Sequence, residues 1–437
     1  ADSTNASVVG GSGADLDHTS DAEATVKIGN DDVDNNTIAD VLLSVFDDGL
    51  DIDAKNEITK YNPSLLPDNQ ADTTWDSGVS VGSGGVANGS AADSDIDIVN
   101  SSQVDIGKNI QLSGLGTKGP NAAAPSRPSP IQIDAVNTSQ VLGDVELDAG
   151  GAMADGGVSL TADSDHTAAI DIGEDSSIAT FGDVRIGGRA VVDTKLQARA
   201  KTYGLASATT GGTKADVSVN NNLTVAPNAE IYGTDIYLGA GRDSTDVNDI
   251  QVSTDTRIFN KSVLPSGGVS AETETSQDNE LNVEDGARIG SVEDVYLTAT
   301  EGNVDTTAFG VSHDMYEGVA KEVDDLFGDV FSDEPVNKNT TVGDVSEEAN
   351  SDVNVDGTIR AGNHRRQKLV VGRDGEYKTQ TDGVTVETTD AKKVRFKLKE
   401  EIERLEKLAE KNSQFPAVSN SYKEEAAVLR SKLSRIP

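Results

Sequence analysis

Apolar residues two apart recur along the chain, separated by stretches rich in Asn, Asp, Gly and Ser. Five segments share one spacing: "IDIVNSSQVDIGKNIQLSG" from Ile96, "VELDAGGAMADGGVSLTA" from Val145, "IDIGEDSSIATFGDVRIGGRA" from Ile170, "LTVAPNAEIYGTDIYLGA" from Leu223 and "LNVEDGARIGSVEDVYLTA" from Leu281. Each opens with a pair: Ile96/Ile98, Val145/Leu147, Ile170/Ile172, Leu223/Val225 and Leu281/Val283. Eight residues after the first member stands Val104, Met153, Ile178, Ile231 or Ile289. A second pair follows: Ile110/Leu112, Val158/Leu160, Val184/Ile186, Ile236/Leu238 and Val295/Leu297, each preceded by Asn, Asp or Gly. Two apolar side chains two apart share one face of a strand, and the residues between the pairs are turn formers. The unit therefore reads strand, turn, strand, turn.

Unit starts are separated by 49, 25, 53 and 58 positions, near multiples of a 25-residue rung, and an eroded copy opens at Val353/Val355. Three short strands per rung, with rungs stacked ~4.8 Å apart, describe a parallel β-helix. The predicted class is all-β, a β-solenoid whose inward ladder comprises the opening pairs with Val104, Ile178, Ile231, Ile289, Ile236/Leu238 and Val295/Leu297. An irregular β-sandwich is the competing fold.

Other segments break the pattern. Residues 1–90 read as an acidic cap or early rungs, 91–117 as the first clear repeat, and 118–131 as a linker or strap because "KGPNAAAPSRPSP" holds four of the eleven prolines. Residues 132–390 read as solenoid repeats, with a helical excursion near 316–331 where Val319, Val323, Leu326, Phe327 and Val330 have helical spacing. Residues 391–437 predict a C-terminal α-helical hairpin. Leu398, Ile402, Leu405 and Ala409 form one stripe; Tyr422, Ala426, Leu429, Leu433 and Ile436 form a second beyond Phe415-Pro416. This segment carries 12 Lys/Arg and 7 Asp/Glu on a chain whose net charge is −39, so docking onto the acidic body or onto another subunit is one expectation and a solvated hairpin the other.

Composition narrows the class. With 35% hydrophobic and 4% aromatic residues, the chain has too little apolar surface for a compact core of the usual kind. A repeat fold needs only a few apolar side chains per layer. The negative charge opposes nucleic acid and anionic lipid as partners, and no apolar run reaches the ~20 residues a membrane span needs. Cysteine is absent, which excludes disulfides and thiolate metal sites. The start at Ala1, without an apolar leader, suggests a processed or truncated piece.

The phrases "GGVSLTADSD", "GDVRIGG" and "TDIYLGAG", each closing a unit, resemble the repeats of filamentous haemagglutinin-like adhesins, especially leukotoxin-type filamentous adhesins of bacteria. The resemblance covers roughly residues 90–362 and is one of style and period. It implies a secreted right-handed β-helix projecting from a cell surface or forming fibres, with no shared catalytic residues.

Candidate chemistry is sparse. "GGSGADLD", Gly10 to Asp17, echoes a glycine-rich calcium repeat but has no tandem copy. "DDVDNNTIAD" at 31–40 lacks the glycine and closing Glu of a calcium loop. Weak calcium binding is thus the one metal expectation, without an address, and no cofactor is expected. His18, His166, His313 and His364 are scattered and read as exposed polar residues; Asp243/Asp246 and Asp324/Asp325 are unremarkable in so acidic a chain; "GNHRRQK" at 362–368 reads as local neutralisation. The sequence therefore predicts a non-enzymatic extracellular structural protein, an adhesin stalk or a self-associating filament subunit. The alternatives are a β-helix polysaccharide-active enzyme, which the single Trp75 disfavours, and a calcium-responsive spacer.

Overall fold

The computed structural model describes residues 2–6, 8–29, 41–45, 49–60, 79–114, 117–118, 125–127, 129–316, 338–362, 368–371, 377–381 and 384–388, with Ile402, Lys407 and Arg430. Apart from these last three positions the described protein is all-β, with parallel sheets. Long strands pair in unbroken parallel register. Ile28 pairs with Ile106, that with Ile172, then Val225, Val283 and Val355. Successive partners are thus 78, 66, 53, 58 and 72 positions apart along the chain.

The strand Val184–Val225 illustrates one pass of the chain. Its 42 residues would reach about 140 Å if straight, at ~3.3 Å per residue. Instead it folds back: Thr202 Oγ1 and Thr209 Oγ1 lie 2.5 Å apart. Residues 184–203 form an outgoing arm and 206–225 a return arm. At this tip Gly204 stacks on Gly151, where a Cβ would lie 2.3 Å from the Gly151 carbonyl oxygen, so only glycine fits without a shift. The short strands Ile110–Gly114, Ser177–Thr180, Glu230–Gly233, Arg288–Ser291 and Thr358–Ala361 stack as a second sheet that closes the other end.

The corner after each return arm repeats. Asn109, Asp175, Asn228 and Gly286 hold φ of 58°, 59°, 60° and 82°. They are spaced as the strand partners are, and Asn, Asp and Gly are the residues that tolerate this conformation. The turn formers between the apolar pairs thus do in part what the sequence predicts.

The repeat length differs from the expected 25 residues. Ile96 pairs with Ala162, and Val145 with Val79 and Ala198, so neither pair starts the same column as Ile170. The opening column is Val26, Val104, Ile170, Leu223, Leu281 and Val353. Alternation of period two runs through the long arms, so a window shifted by an even number of residues looks the same. Met153 shows the misalignment, being 59% exposed at the tip. The columns Leu43, Leu112, Ile178, Ile231, Ile289, Ile359 and Ile52, Ile133, Ile186, Leu238, Leu297, Val386 run through six passes each. All the ladder residues named from sequence are buried, including Ile96, Ile98, Val145 and Leu147.

Residues 1–90 include strands of the same stack, since Val9–Ile28 and Leu50–Lys60 pair with later strands. In the proposed linker Thr117–Lys118 pairs antiparallel with Pro125–Arg127, and Ile131 opens the next long strand. The helical excursion beyond Tyr316 and the C-terminal hairpin lie outside the described residues, apart from helical backbone at Ile402, Lys407 and Arg430.

Two apolar clusters fill the interior. One gathers the short-strand end around Ile170, Ile178 and Ile186; the other lies between the arms around Leu147, Leu160, Val192 and Val217. Buried asparagines divide them. Asn221 Nδ2 donates to Asn279 Oδ1 at 2.7 Å and Asn248 Oδ1 at 3.2 Å; Asn248 Nδ2 donates to Gln277 Oε1 at 3.1 Å; Ala190 N donates to Asn248 Oδ1 at 2.8 Å. These bonds tie the outgoing arm to the return arm and give partners to most of the amide groups, which would be costly to bury unpaired; Asn221 Oδ1 has none among the described residues.

Candidate interaction faces

The outer sides of the two arms differ in character, because alternate residues of each strand leave the interior. On the outgoing side the insertion 241–248 folds back over earlier passes. Gly241, at φ 75°, starts it; a Cβ there would lie 1.9 Å from the Thr300 carbonyl oxygen. Asp243 Oδ1 accepts from Thr245 N, Thr245 Oγ1 and Asp246 N, and Asp243 Oδ2 from Arg189 Nε at 2.5 Å. Ser244 reaches Asp134 through N at 3.0 Å and Oγ at 2.6 Å. Burial pushes the Asp134 carboxyl upward against these bonds. For Asp243 burial acts upward too, but the bonds from Arg189 and the turn outweigh it and hold the carboxyl low. Both carboxylates are occupied in fastening the insertion, an arrangement suited to structure rather than proton transfer.

Beside the insertion, Tyr237 and Tyr296 stack with centroids 4.6 Å apart and planes 1° from parallel, and Arg185 covers Tyr237 at 4.8 Å. They are register partners on consecutive passes, so the stack itself imposes their contact. Further along the same side lie Lys195, Arg199 and Lys201, followed by Tyr203. Tyr203 meets Phe259 with centroids 6.1 Å apart, and Arg257 lies 6.0 Å from the exposed Phe309 ring. Lys195 pairs with Asp193 at 2.8 Å, Arg199 with Asp144 at 3.2 Å and Lys201 with Glu146 at 3.6 Å. Burial raises the Asp144 carboxyl to about 6, although Arg199 opposes it.

The return side carries carboxylates. Asp97, Asp163, Asp216 and Glu274 are stacked register partners on successive passes. Burial raises Asp163 and Asp216, and their neighbours add repulsion: Asp165 and Asp97 at Asp163, Asp163 and Glu274 at Asp216. Lys214 bridges to Glu274 at 3.2 Å.

None of the three described histidines is fully exposed as expected: His18 and His313 are half-buried, and His166 is buried. His166 is 1% exposed and faces the interior, its pKa lowered to about 4 by burial. Neither ring nitrogen has a hydrogen-bond partner among the described residues, nor do Asn100 Oδ1, Asn137 Oδ1, Ser139 Oγ and Ser164 Oγ. These groups are close: Asn137 Nδ2 donates to the Thr167 carbonyl at 2.6 Å, and Asn100 Nδ2 to the Thr138 carbonyl at 3.0 Å. The sequence signal was there in the parity of position 166, which shares its face with Ile170 and Ile172.

Gly10 to Asp17 lies within the strand Val9–Ile28, and its carboxylates Asp15 and Asp17 occupy the outer side. The segment 31–40, Trp75, Asp324/Asp325 and residues 363–367 of the basic patch, His364 included, lie outside the described residues. Among the described residues no group of three or more His, Asp or Glu side chains is arranged to hold a metal ion, and no helix is long and apolar enough to cross a membrane. No family model, curated protein or solved structure matches the chain.

Proposed function

We propose that the chain is a β-solenoid acting as a non-enzymatic structural protein, an adhesin stalk or filament subunit at a bacterial cell surface. The observation that carries this is column continuity: the same inward positions stay buried from pass to pass, filled by apolar side chains and by Asn, Ser, Thr and His166, while the charged residues stand mainly at outer positions. Such a chain invests its sequence in length and rigidity. Each fully buried Val, Ile or Leu contributes about 1.5–3 kcal/mol, and the columns distribute that evenly along the axis. The outer carboxylates favour solubility and oppose random edge pairing. The extracellular setting rests on this hydrated surface and on the adhesin-like phrasing of the repeats.

Negative-stain electron microscopy of the purified protein, with immunogold labelling of the source cells, tests the proposal. Thin rods of uniform width, with label outside the cell envelope, are expected. Round particles would remove the solenoid, and label confined to the cell interior would remove the surface role.

A further inference from the structure

We propose that the cation row on the outgoing side docks the carboxylate row on the return side of a second copy, so that molecules associate side by side; this rests on the solenoid reading. Lys195, Arg199 and Lys201 stand on the outer side of one outgoing arm, four and two residues apart. Glu272, Glu274 and Asp278 stand on the outer side of a return arm, two and four residues apart, all exposed. The arms of each pass run in opposite directions, so a second copy in the same orientation presents its return row antiparallel to the first copy's outgoing row. The spacings then coincide: Lys201 meets Glu272, Arg199 meets Glu274 and Lys195 meets Asp278.

The existing partners do not forbid this. Lys195 with Asp193, Lys201 with Glu146 and Glu274 with Lys214 are solvent-exposed pairs, and Asp278 accepts from Asn350 Nδ2 at 3.5 Å. Such contacts exchange at little cost. Arg199 keeps Asp144, which is buried, and offers the rest of its guanidinium. Tyr203 and Phe309, 37% and 45% exposed, lie past the row and supply apolar area. A contact between unlike faces related by translation is heterologous and open, so it propagates into bundles rather than closing as a dimer.

Charge also sets when it forms. Two copies at −39 each repel at long range, but at about 0.15 M salt the screening length is ~8 Å, and only the contacting rows interact strongly. Association therefore passes through a maximum between low and high salt.

Sedimentation velocity at about 0.01, 0.15 and 1 M salt tests this, using the wild type, Lys195→Glu/Lys201→Glu, and Glu272→Lys/Asp278→Lys. All four positions are exposed, and circular dichroism checks that each variant keeps its fold. The wild type should associate most at the middle salt. Each variant alone should associate about tenfold more weakly, and their equimolar mixture should recover, because the reversed row of one variant meets the reversed row of the other with opposite sign, and the two native rows meet each other. A wild type that sediments as a monomer at all three salts, or a mixture no heavier than its components, overturns the proposal. Small-angle scattering of the dissociated protein tells the two readings apart: a flattened rod that never associates removes only the lateral contact, and a globular profile removes the solenoid.

Discussion

The His166 imidazole takes its proton near pH 6.5 in an unfolded chain and near 4 in the fold, because burial opposes its charge. A group whose folded pKa is lowered contributes stability above its unfolded pKa and loses it as pH falls through the folded one. For His166 the window is pH 6.5 to 4, and the amount is at most ~3 kcal/mol. Asp144 has the opposite sign. Burial raises its carboxyl from 3.8 to about 6, so its contribution is present in acid and lost as pH rises through 6. The two oppose each other between pH 4 and 6. In thermal melts across pH 4 to 7, His166→Asn should flatten the acid loss, since Asn occupies the same column one pass below at Asn100. Asp144→Asn should steepen it. Identical pH profiles for wild type and His166→Asn would show that the imidazole is hydrated.

Elements decide which apolar residues count. Ile231 belongs to a column of short strands and is fully buried, so Ile231→Asp places an unpaired charge in the interior and should cost about 3–5 kcal/mol or more. Met153, at the equivalent place in the sequence alignment, lies at the exposed tip, and Met153→Asp should shift stability by about 0.5 kcal/mol or less. Urea denaturation of the two variants checks the pair; equal losses would restore the shorter repeat. This contrast marks what was legible in the sequence. Parity was legible, since period-two alternation names the inward face, and so were the corner residues. Register was not, because an even shift preserves the pattern, and neither was the fold-back at the tip, where Gly150, Gly151 and Gly204 look like any other turn glycines. Of the candidate faces, the cations of 185–201 are visible in sequence, but their opposition to the return-side carboxylates depends on the antiparallel course of the two arms.

For the whole molecule, the central claim is that successive passes lie in parallel register with inward columns running through them. Two opposed outer surfaces follow from it, one carrying the cation row and aromatic rings, the other carboxylates. The most direct measurement uses the absence of native cysteine. Ser218 and Ser276 are register partners on adjacent passes and both point outward. Partners about 4.8 Å apart are within the Cα range of a disulfide. Ser218→Cys/Ser276→Cys should therefore crosslink within one chain under mild oxidation and change the migration of the denatured protein. Ser218→Cys/Glu272→Cys, displaced four residues or roughly 13 Å along the strand, should not. Efficient crosslinking of the displaced pair, with none in the register pair, would contradict the stacked arrangement.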